Sequence, residues 1–168
     1  MTDDDLRIER SGDRWRIAVD RVVATDRADL WSACTTADRL ARWMAPYRGE
    51  LRLGGRWEAL TDGEVWGSGT VTECDAPNGF TTTWEVTGEP PSTVVVRLEE
   101  APGGTRLLLV HDGVLDPTYP PGWAAYLGML RDHVADDARD DLGPQGFAQR
   151  FPVERARLAG ALQELGFA

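Results

Sequence analysis

Two histidines are the side chains in this 168-residue sequence that best suit acid–base or metal chemistry. His111 follows an alternating apolar segment and precedes Asp112, so it is the better candidate for a general acid or base. His133 and Asp137 are four residues apart, a spacing that would put both on one face of a helix and permit metal binding. No Ser or Cys nucleophile accompanies either histidine in a recognisable motif, and a hydrogen-bonded core role is the simpler interpretation of His111. We therefore predict that the protein has no catalytic residue and no metal site. If the protein does catalyse a reaction, His111 is the candidate.

Charge and composition exclude several function classes. The chain has 28 acidic and 18 basic residues and a net charge of -10, which disfavours binding to nucleic acid and to anionic lipid surfaces. All the basic residues are Arg, so a Schiff-base lysine and a Walker-type phosphate loop are excluded. No nucleotide, flavin, haem or metal fingerprint is present, and we predict no cofactor.

Cysteine usage and the N-terminus bear on the compartment. Cys34 and Cys74 are too few for a disulfide framework or a zinc site and are interpreted as small buried hydrophobic residues. The first ten residues, MTDDDLRIER, are acidic where a secretory signal would be basic and then apolar. No apolar run approaches the length of a membrane span, so we expect a cytoplasmic protein without membrane insertion.

The elements that must position these residues begin with a hairpin and two helices. Residues 6–24 alternate as two strands around a turn at Ser11-Gly12-Asp13. Asp26 or Asp29 can then cap a first short helix, and Thr36 or Asp38 a second one that Pro46 closes.

A period-two pattern runs from Glu50 to His111 and predicts about five further strands. Turns rich in Gly, Pro, Asn and Asp join them without room for crossover helices, which excludes a parallel doubly wound sheet. After Pro120-Pro121-Gly122, a long helix carries an apolar face that should lie across the sheet: Trp123, Tyr126, Leu127, Leu130 and Val134. The acidic run DDARDD then marks a boundary, and a weakly amphipathic last helix should start near Pro152.

Five segments follow one another in a recognisable order: RVVATDRADLWSACTTADRLARWMAP, GGRWE, GTVTECDAPNGFTTTWEV, STVVVRLEEAPGGTRLLLVHDGV and GWAAYLGMLRDHV. Together they resemble the SRPBCC (START-like, helix-grip) superfamily, and within it the activator-of-heat-shock-protein-ATPase homologues. The resemblance implies an α+β helix-grip (START/Bet v 1-like) fold, with a curved antiparallel sheet wrapped around the long helix and two short helices after the first long strand. We assign residues 1–138 to this domain and residues 139–168 to a C-terminal helical extension.

The resemblance also implies a mostly apolar cavity between the sheet and the long helix. Because side chains alternate along strands, one inward choice per strand assigns the lining. The predicted ligand-binding residues are Trp43, Met44, Trp57, Thr82, Trp84, Leu109, His111, Tyr119, Trp123 and Tyr126. The same aromatic residues could instead fill a solid core.

Three functions remain open at this stage. We favour non-catalytic binding of a small hydrophobic molecule, lipid-like or aromatic, in the cavity. The first alternative is a cyclase, aromatase or hydrolase-like enzyme that uses the same cavity with His111 as acid or base. The second is a chaperone-regulating or other protein-interaction module, or a homodimer, that uses the outer sheet face or the C-terminal extension. Leu108, Val110 and Val95 should point outward there, where alternation would place polar residues. Either the tail or a second subunit covers them, or they are scattered exposed residues without a partner.

Overall fold

A computed structural model describes residues 5–168 of the chain. Residues 1–4 belong to the acidic stretch that argues against a secretory signal, and this part of the argument lies outside the described residues. The strands are β1 (Leu6–Ser11), β2 (Arg14–Val23), β3 (Tyr47–Gly49), β4 (Arg56–Thr61), β5 (Glu64–Asp75), β6 (Gly79–Trp84), β7 (Ser92–Ala101) and β8 (Gly104–Val114). The helices are α1 (Arg27–Thr35), α2 (Ala37–Trp43), α3 (Tyr119–Ala135) and α4 (Gly143–Leu165).

The strands form one antiparallel sheet in the order β1-β2-β8-β7-β6-β5-β4-β3. Every pair of neighbours after the β2–β8 contact is a hairpin, as the turn-rich sequence predicts. The short edge strand β3 was not predicted, because its three residues follow Pro46 and carry no alternation of their own. The curved sheet with α3 across it is the helix-grip α+β fold, so the predicted fold class is confirmed.

Local sequence explains both short helices. The Asp26 side chain caps α1 by accepting a hydrogen bond from the backbone N–H of Asp29 at 2.8 Å. Thr36 is the N-cap residue of α2, which ends at Trp43 ahead of Pro46. These helices bring Cys34, Leu40 and Trp43 to one end of the sheet, where they help to line the site described below.

The last helix begins at Gly143, so the prediction of a start near Pro152 is wrong. Pro144 lies in the first turn, where a missing N–H has no cost, and Pro152 is inside the helix. Packing onto α3 offsets the interior proline. The Phe147 ring stacks on Tyr126 with centroids 4.5 Å apart, and Arg150 donates to Asp132 at 2.7 Å. Gly146 permits this approach, since a Cβ there would lie 3.0 Å from the Met129 sulfur.

The C-terminal extension packs on the concave side of the sheet, so the expectation that it covers the outer face is not met. Helix α4 packs against α3 and α2, and the Phe167 ring stacks on Trp15 of β2 at 4.6 Å. Trp15 belongs to the inward, buried set of β2. On the outer face, Leu108, Val110 and Val95 are half-buried. Coverage of these residues by a second subunit stays a prediction.

Among residues 5–168, no helix has both the length and the apolar character that crossing a membrane requires.

Candidate functional site

Alternation along the central strands directs apolar side chains into the space between the sheet and α3. Leu107, Leu109 and His111 of β8 and Val94, Val96 and Leu98 of β7 are buried, as predicted for the inward face. This space contains an inner cavity of about 80 Å³. Its lining residues are Cys34, Leu40, Trp43, Met44, Tyr47, Leu51, Trp57, Phe80, Thr82, Trp84, Val94, Val96, Leu107, Leu109, Trp123, Leu127 and Leu130.

Polar atoms around the inner cavity already have protein partners. The indole N–H of Trp57 donates to Thr82 Oγ1 at 2.7 Å, and that of Trp43 donates to the carbonyl of Ala33 at 3.0 Å. Burial raises the pKa of the Cys34 thiol to about 12, so this cysteine is a neutral thiol at physiological pH. The inner cavity therefore presents apolar surface to anything that enters it.

A larger space, the outer chamber, adjoins the inner cavity at the first turns of α3 and α4. Its volume is about 310 Å³. Its lining residues are Met44, Trp66, Trp84, Val86, Glu89, Thr118, Tyr119, Gly122, Trp123, Tyr126, Phe147 and Phe151. Met44, Trp84 and Trp123 line both spaces and form the shared wall between them.

Six aromatic rings form a continuous belt in the outer chamber. Neighbouring ring centroids are 5.8 Å apart for Trp66 and Trp84, 5.7 Å for Trp84 and Trp123, and 6.4 Å for Trp123 and Tyr126. Phe147 stacks on Tyr126, and Phe151 stacks on Phe147 at 5.2 Å. Trp84 and Trp123 are buried, whereas the other four rings are half-buried and open the chamber towards solvent.

One carboxylate lines the outer chamber and ends a short hydrogen-bond chain. The indole N–H of Trp84 donates to the Tyr119 hydroxyl at 3.2 Å, and this hydroxyl donates to Glu89 Oε2 at 2.6 Å. Burial, and then the bond to Glu89, raise the pKa of Tyr119 above its ordinary value of 10. Tyr119 is therefore a neutral donor that holds the carboxylate in place.

His111 is fully buried and lies behind the shared wall, outside the lining of both spaces. Its Nδ1 accepts the indole N–H of Trp123 at 3.0 Å, and an indole can only donate. The ring proton therefore resides on Nε2, which donates to the Ser92 hydroxyl at 2.7 Å. Burial lowers the pKa of His111 to about 3, although nearby Asp112 opposes the shift. The neutral ring thus has a partner on each nitrogen.

His133 is engaged by an arginine in place of a metal. Its Nε2 accepts a hydrogen bond from Arg39 Nε at 3.1 Å, and Arg39 also pairs with Asp29 at 2.7 Å. Burial, followed by the charge of Arg39, lowers the pKa of His133. Within residues 5–168, no group of three or more His, Cys, Asp or Glu side chains is arranged to hold a metal ion.

The structure brings nine of the ten predicted ligand-binding residues to the two spaces. Seven of them line the inner cavity: Trp43, Met44, Trp57, Thr82, Trp84, Leu109 and Trp123. The outer chamber is lined by Tyr119 and Tyr126, together with Met44, Trp84 and Trp123, which line both spaces. His111 supports the wall without lining either space. Whether these residues bind a ligand stays a prediction.

Sequence reasoning missed one side of the outer chamber. Trp66 is the extra residue of a β-bulge, because Ala59 pairs with Gly67 and the next residue, Leu60, pairs with Val65. A bulge re-aims a side chain, so strand alternation could not assign Trp66. Phe147 and Phe151 are four residues apart, and this spacing would have marked a helical face had α4 been predicted to start at Gly143.

Comparison with known proteins relates the chain to one family. The sequence model of the family described as "Activator of Hsp90 ATPase homolog 1-like protein" matches residues 24–135, more than half of the chain. No protein with a curated description matches.

Several solved structures share the fold. The crystal structure of CalU16 from Micromonospora echinospora is 25% identical, with a TM-score of 0.67 over 92% of this chain and 95% of that chain. EF2215 from Enterococcus faecalis, described as a conserved protein of unknown function, is 19% identical, with a TM-score of 0.68 over 92% and 91% of the two chains. DynU16, described as a protein of the dynemicin biosynthetic locus, is 19% identical, with a TM-score of 0.66 over 73% of this chain and 48% of that chain.

Proposed function

Because this chain belongs to the family of Activator of Hsp90 ATPase homolog 1-like proteins, which has the helix-grip fold of ligand-binding SRPBCC proteins, we propose that it binds a small hydrophobic molecule without catalysis. The body of the ligand occupies the outer chamber, and an apolar end passes the shared wall into the inner cavity. The observation that carries this proposal is the adjacency of the two apolar spaces, which share Met44, Trp84 and Trp123 as lining residues.

The volumes of the two spaces indicate which part of the ligand each space can hold. The outer chamber, at about 310 Å³, is at the lower end of the range for small-molecule sites, about 300–1,000 Å³. The inner cavity, at about 80 Å³, is smaller than an apolar cavity of about 150 Å³ that accommodates benzene. It therefore suits a short alkyl end, while the aromatic belt receives the larger part of the molecule.

The hydrogen bonds of His111 favour binding over catalysis. A general acid or base must reach the substrate through a free nitrogen, and both nitrogens of His111 are bonded to Ser92 and Trp123. With its pKa lowered to about 3, the ring carries no proton to donate as a cation near neutral pH. In this proposal His111 fixes the orientation of Trp123, and through it the shared wall.

Gly122 offers a direct way to test occupancy of the outer chamber. It is buried in α3 and lines the chamber, yet a Cβ at this position would have no heavy atom within 4 Å. Gly122→Leu therefore places a side chain into the empty space of the chamber. Gly122 does not have a positive φ, so the helical backbone at this position is compatible with a leucine.

The experiment is a fluorescence titration with the neutral apolar probe N-phenyl-1-naphthylamine. Gly160→Leu is the matched control, because Gly160 is an exposed glycine of α4 with equally open surroundings. We expect Gly122→Leu to weaken probe binding about tenfold or more, a loss of about 1.4 kcal/mol, while the control binds as the wild type does. Equal affinity in all three proteins, or no binding to the wild type, would overturn the proposal.

A further inference from the structure

The outer chamber combines aromatic faces with one carboxylate, and this combination says what kind of polar group the ligand carries. Of its twelve lining residues, six contribute the rings of the aromatic belt, and Glu89 is the one acidic residue. No Arg side chain is part of this lining. The chamber thus differs from the outer sheet surface, where Arg and acidic residues alternate in ion pairs such as Arg106 with Asp20.

Aromatic faces attract cations because the ring quadrupole is negative above and below the ring plane. Cations bind to Trp, Tyr and Phe faces within about 6 Å of the ring centroid, and the attraction grows when the site excludes water. In the chamber, the Trp66, Trp84 and Trp123 rings are inclined to one another by 57° and 54°. A cage for an organic cation needs ring faces, and rings inclined to one another can direct their faces at one space from different sides.

The carboxylate of Glu89 supplies the counter-charge. Tyr119 donates to Oε2 alone, and a carboxylate accepts about four hydrogen bonds over its two oxygens. The described ion pairs give Glu89 no arginine partner. Glu89 is half-buried and lines the same chamber as the aromatic belt, so it can serve as the counter-charge of a cation that enters the chamber.

We propose that the ligand is a cationic amphiphile whose organic ammonium group lies in the aromatic belt beside Glu89 and whose apolar tail points past Trp84 and Trp123 into the inner cavity. This inference rests on the proposed function and adds the charge of the ligand to it. The net charge of -10 attracts the same class of molecule from a distance, which raises the association rate.

The test compares three probes with the same ten-carbon chain and different head groups: decyltrimethylammonium, 1-decanol and decyl sulfate. Each displaces N-phenyl-1-naphthylamine from the protein below its micelle-forming concentration. We expect the cation to bind at least about tenfold more tightly than the alcohol, and the sulfate to bind most weakly.

Glu89→Gln identifies the source of the preference. The glutamine oxygen can still accept the Tyr119 hydrogen bond, so the chamber keeps its shape while it loses one negative charge. Glu64→Gln is the matched control, since it removes the same charge from the exposed β4–β5 turn. We expect the preference for the cation over 1-decanol to fall below about threefold in Glu89→Gln and to persist in Glu64→Gln.

The outcomes separate the two proposals. Equal binding of cation and alcohol to the wild type, or a preference that survives Glu89→Gln, would overturn the ammonium assignment and leave the hydrophobic site standing. Failure of all three probes to displace the reporter would remove the proposed function and this inference together.

Discussion

The inner cavity and the outer chamber differ in how the chain builds them. The inner cavity is enclosed by regular strands and by α2 and α3, and its indole N–H groups are bonded to protein atoms. The outer chamber is assembled from a bulge at Trp66, the loop residue Glu89, the start of α3 and two rings of α4. The inner cavity is therefore a space within the hydrophobic core, and the outer chamber lies at the edge of the core and is formed largely by other residues.

This difference teaches where stability and specificity reside. Side chains of the inner cavity contact one another on most sides, so their removal costs packing energy. The half-buried rings of the outer chamber have one side open, so their removal costs less stability but takes away surface that a ligand would cover. Family membership covers residues 24–135, whereas Phe147 and Phe151 of the outer chamber lie beyond that range.

The largest expected effect is on the free energy of unfolding, which should respond more to truncation in the inner cavity than to truncation in the outer chamber. Leu109→Ala truncates a buried inner-cavity residue and should lower the free energy of unfolding by about 2–5 kcal/mol. Phe151→Ala, in the outer chamber, should cost less than this truncation and yet weaken the binding of N-phenyl-1-naphthylamine. Urea unfolding and probe titration of both variants measure the two effects. Loss of probe binding in Leu109→Ala, together with full binding in Phe151→Ala, would contradict the assignment of ligand binding to the outer chamber.

The wall between the spaces provides the next prediction. Ser92→Ala leaves the Nε2–H of His111 without an acceptor in a buried site, which should lower the free energy of unfolding by about 1–3 kcal/mol. Ser68→Ala, which removes a hydroxyl bonded to Arg56 on the exposed surface, should change stability by less than about 0.5 kcal/mol. Equal stability of these two variants would show that His111 does not depend on Ser92 for its hydrogen bond.

The buried histidines also predict how stability depends on pH. His111 keeps a pKa of about 3 in the folded protein against an ordinary value of 6.5, so between these values the unfolded chain binds a proton that the folded chain does not. Stability should therefore fall as the pH drops from about 6 to 4.5, by up to about 1.4 kcal/mol per pH unit for this one group. The lowered pKa of His133 adds a contribution of the same sign.

Chemical unfolding of His111→Gln at several pH values isolates the first contribution. The variant should be less stable near pH 7 and should show a shallower decline between pH 6 and 4.5. An unchanged slope would mean that His111 takes up its proton in the folded protein. Carboxylates with lowered pKa values, such as Asp29 and Asp132, affect stability at lower pH, because their ordinary value is 3.8.

Sequence alone predicted the parts of the molecule that follow regular periods. The hairpin turns predicted the antiparallel order of the meander. Alternation grouped the side chains of each strand by face, and the family resemblance assigned the faces of Leu109, Thr82 and Trp57 to the inside. Asp112, one residue after His111, points outward and pairs with Arg16, as the same alternation predicts. The cavity was predicted from the family resemblance, because the hydrophobic periodicity of a strand or helix does not indicate a cavity.

The missed features are those in which tertiary contacts override a local rule. The bulge at Trp66 depends on pairing with β4, and the early start of α4 depends on docking of Phe147 onto Tyr126. The charge-run boundary and Pro152 both argued for a helix that starts near Pro152, so Phe147 and Phe151 were not predicted to lie on its face. The sequence-based prediction therefore did not include the α4 side of the outer chamber, Phe147 and Phe151.

Locating a bound molecule directly would test the central claim. Crystals of the protein soaked with 8-bromooctan-1-ol can be measured at the bromine absorption edge, where the anomalous signal marks the end of the chain. We expect the bromine in the inner cavity or at the shared wall, with the rest of the molecule in the outer chamber between Trp84 and Phe147. A bromine peak on the outer sheet face beside Leu108, or in the surface groove that Ile8 of β1 and Leu165 of α4 line, with both spaces empty, would contradict the account.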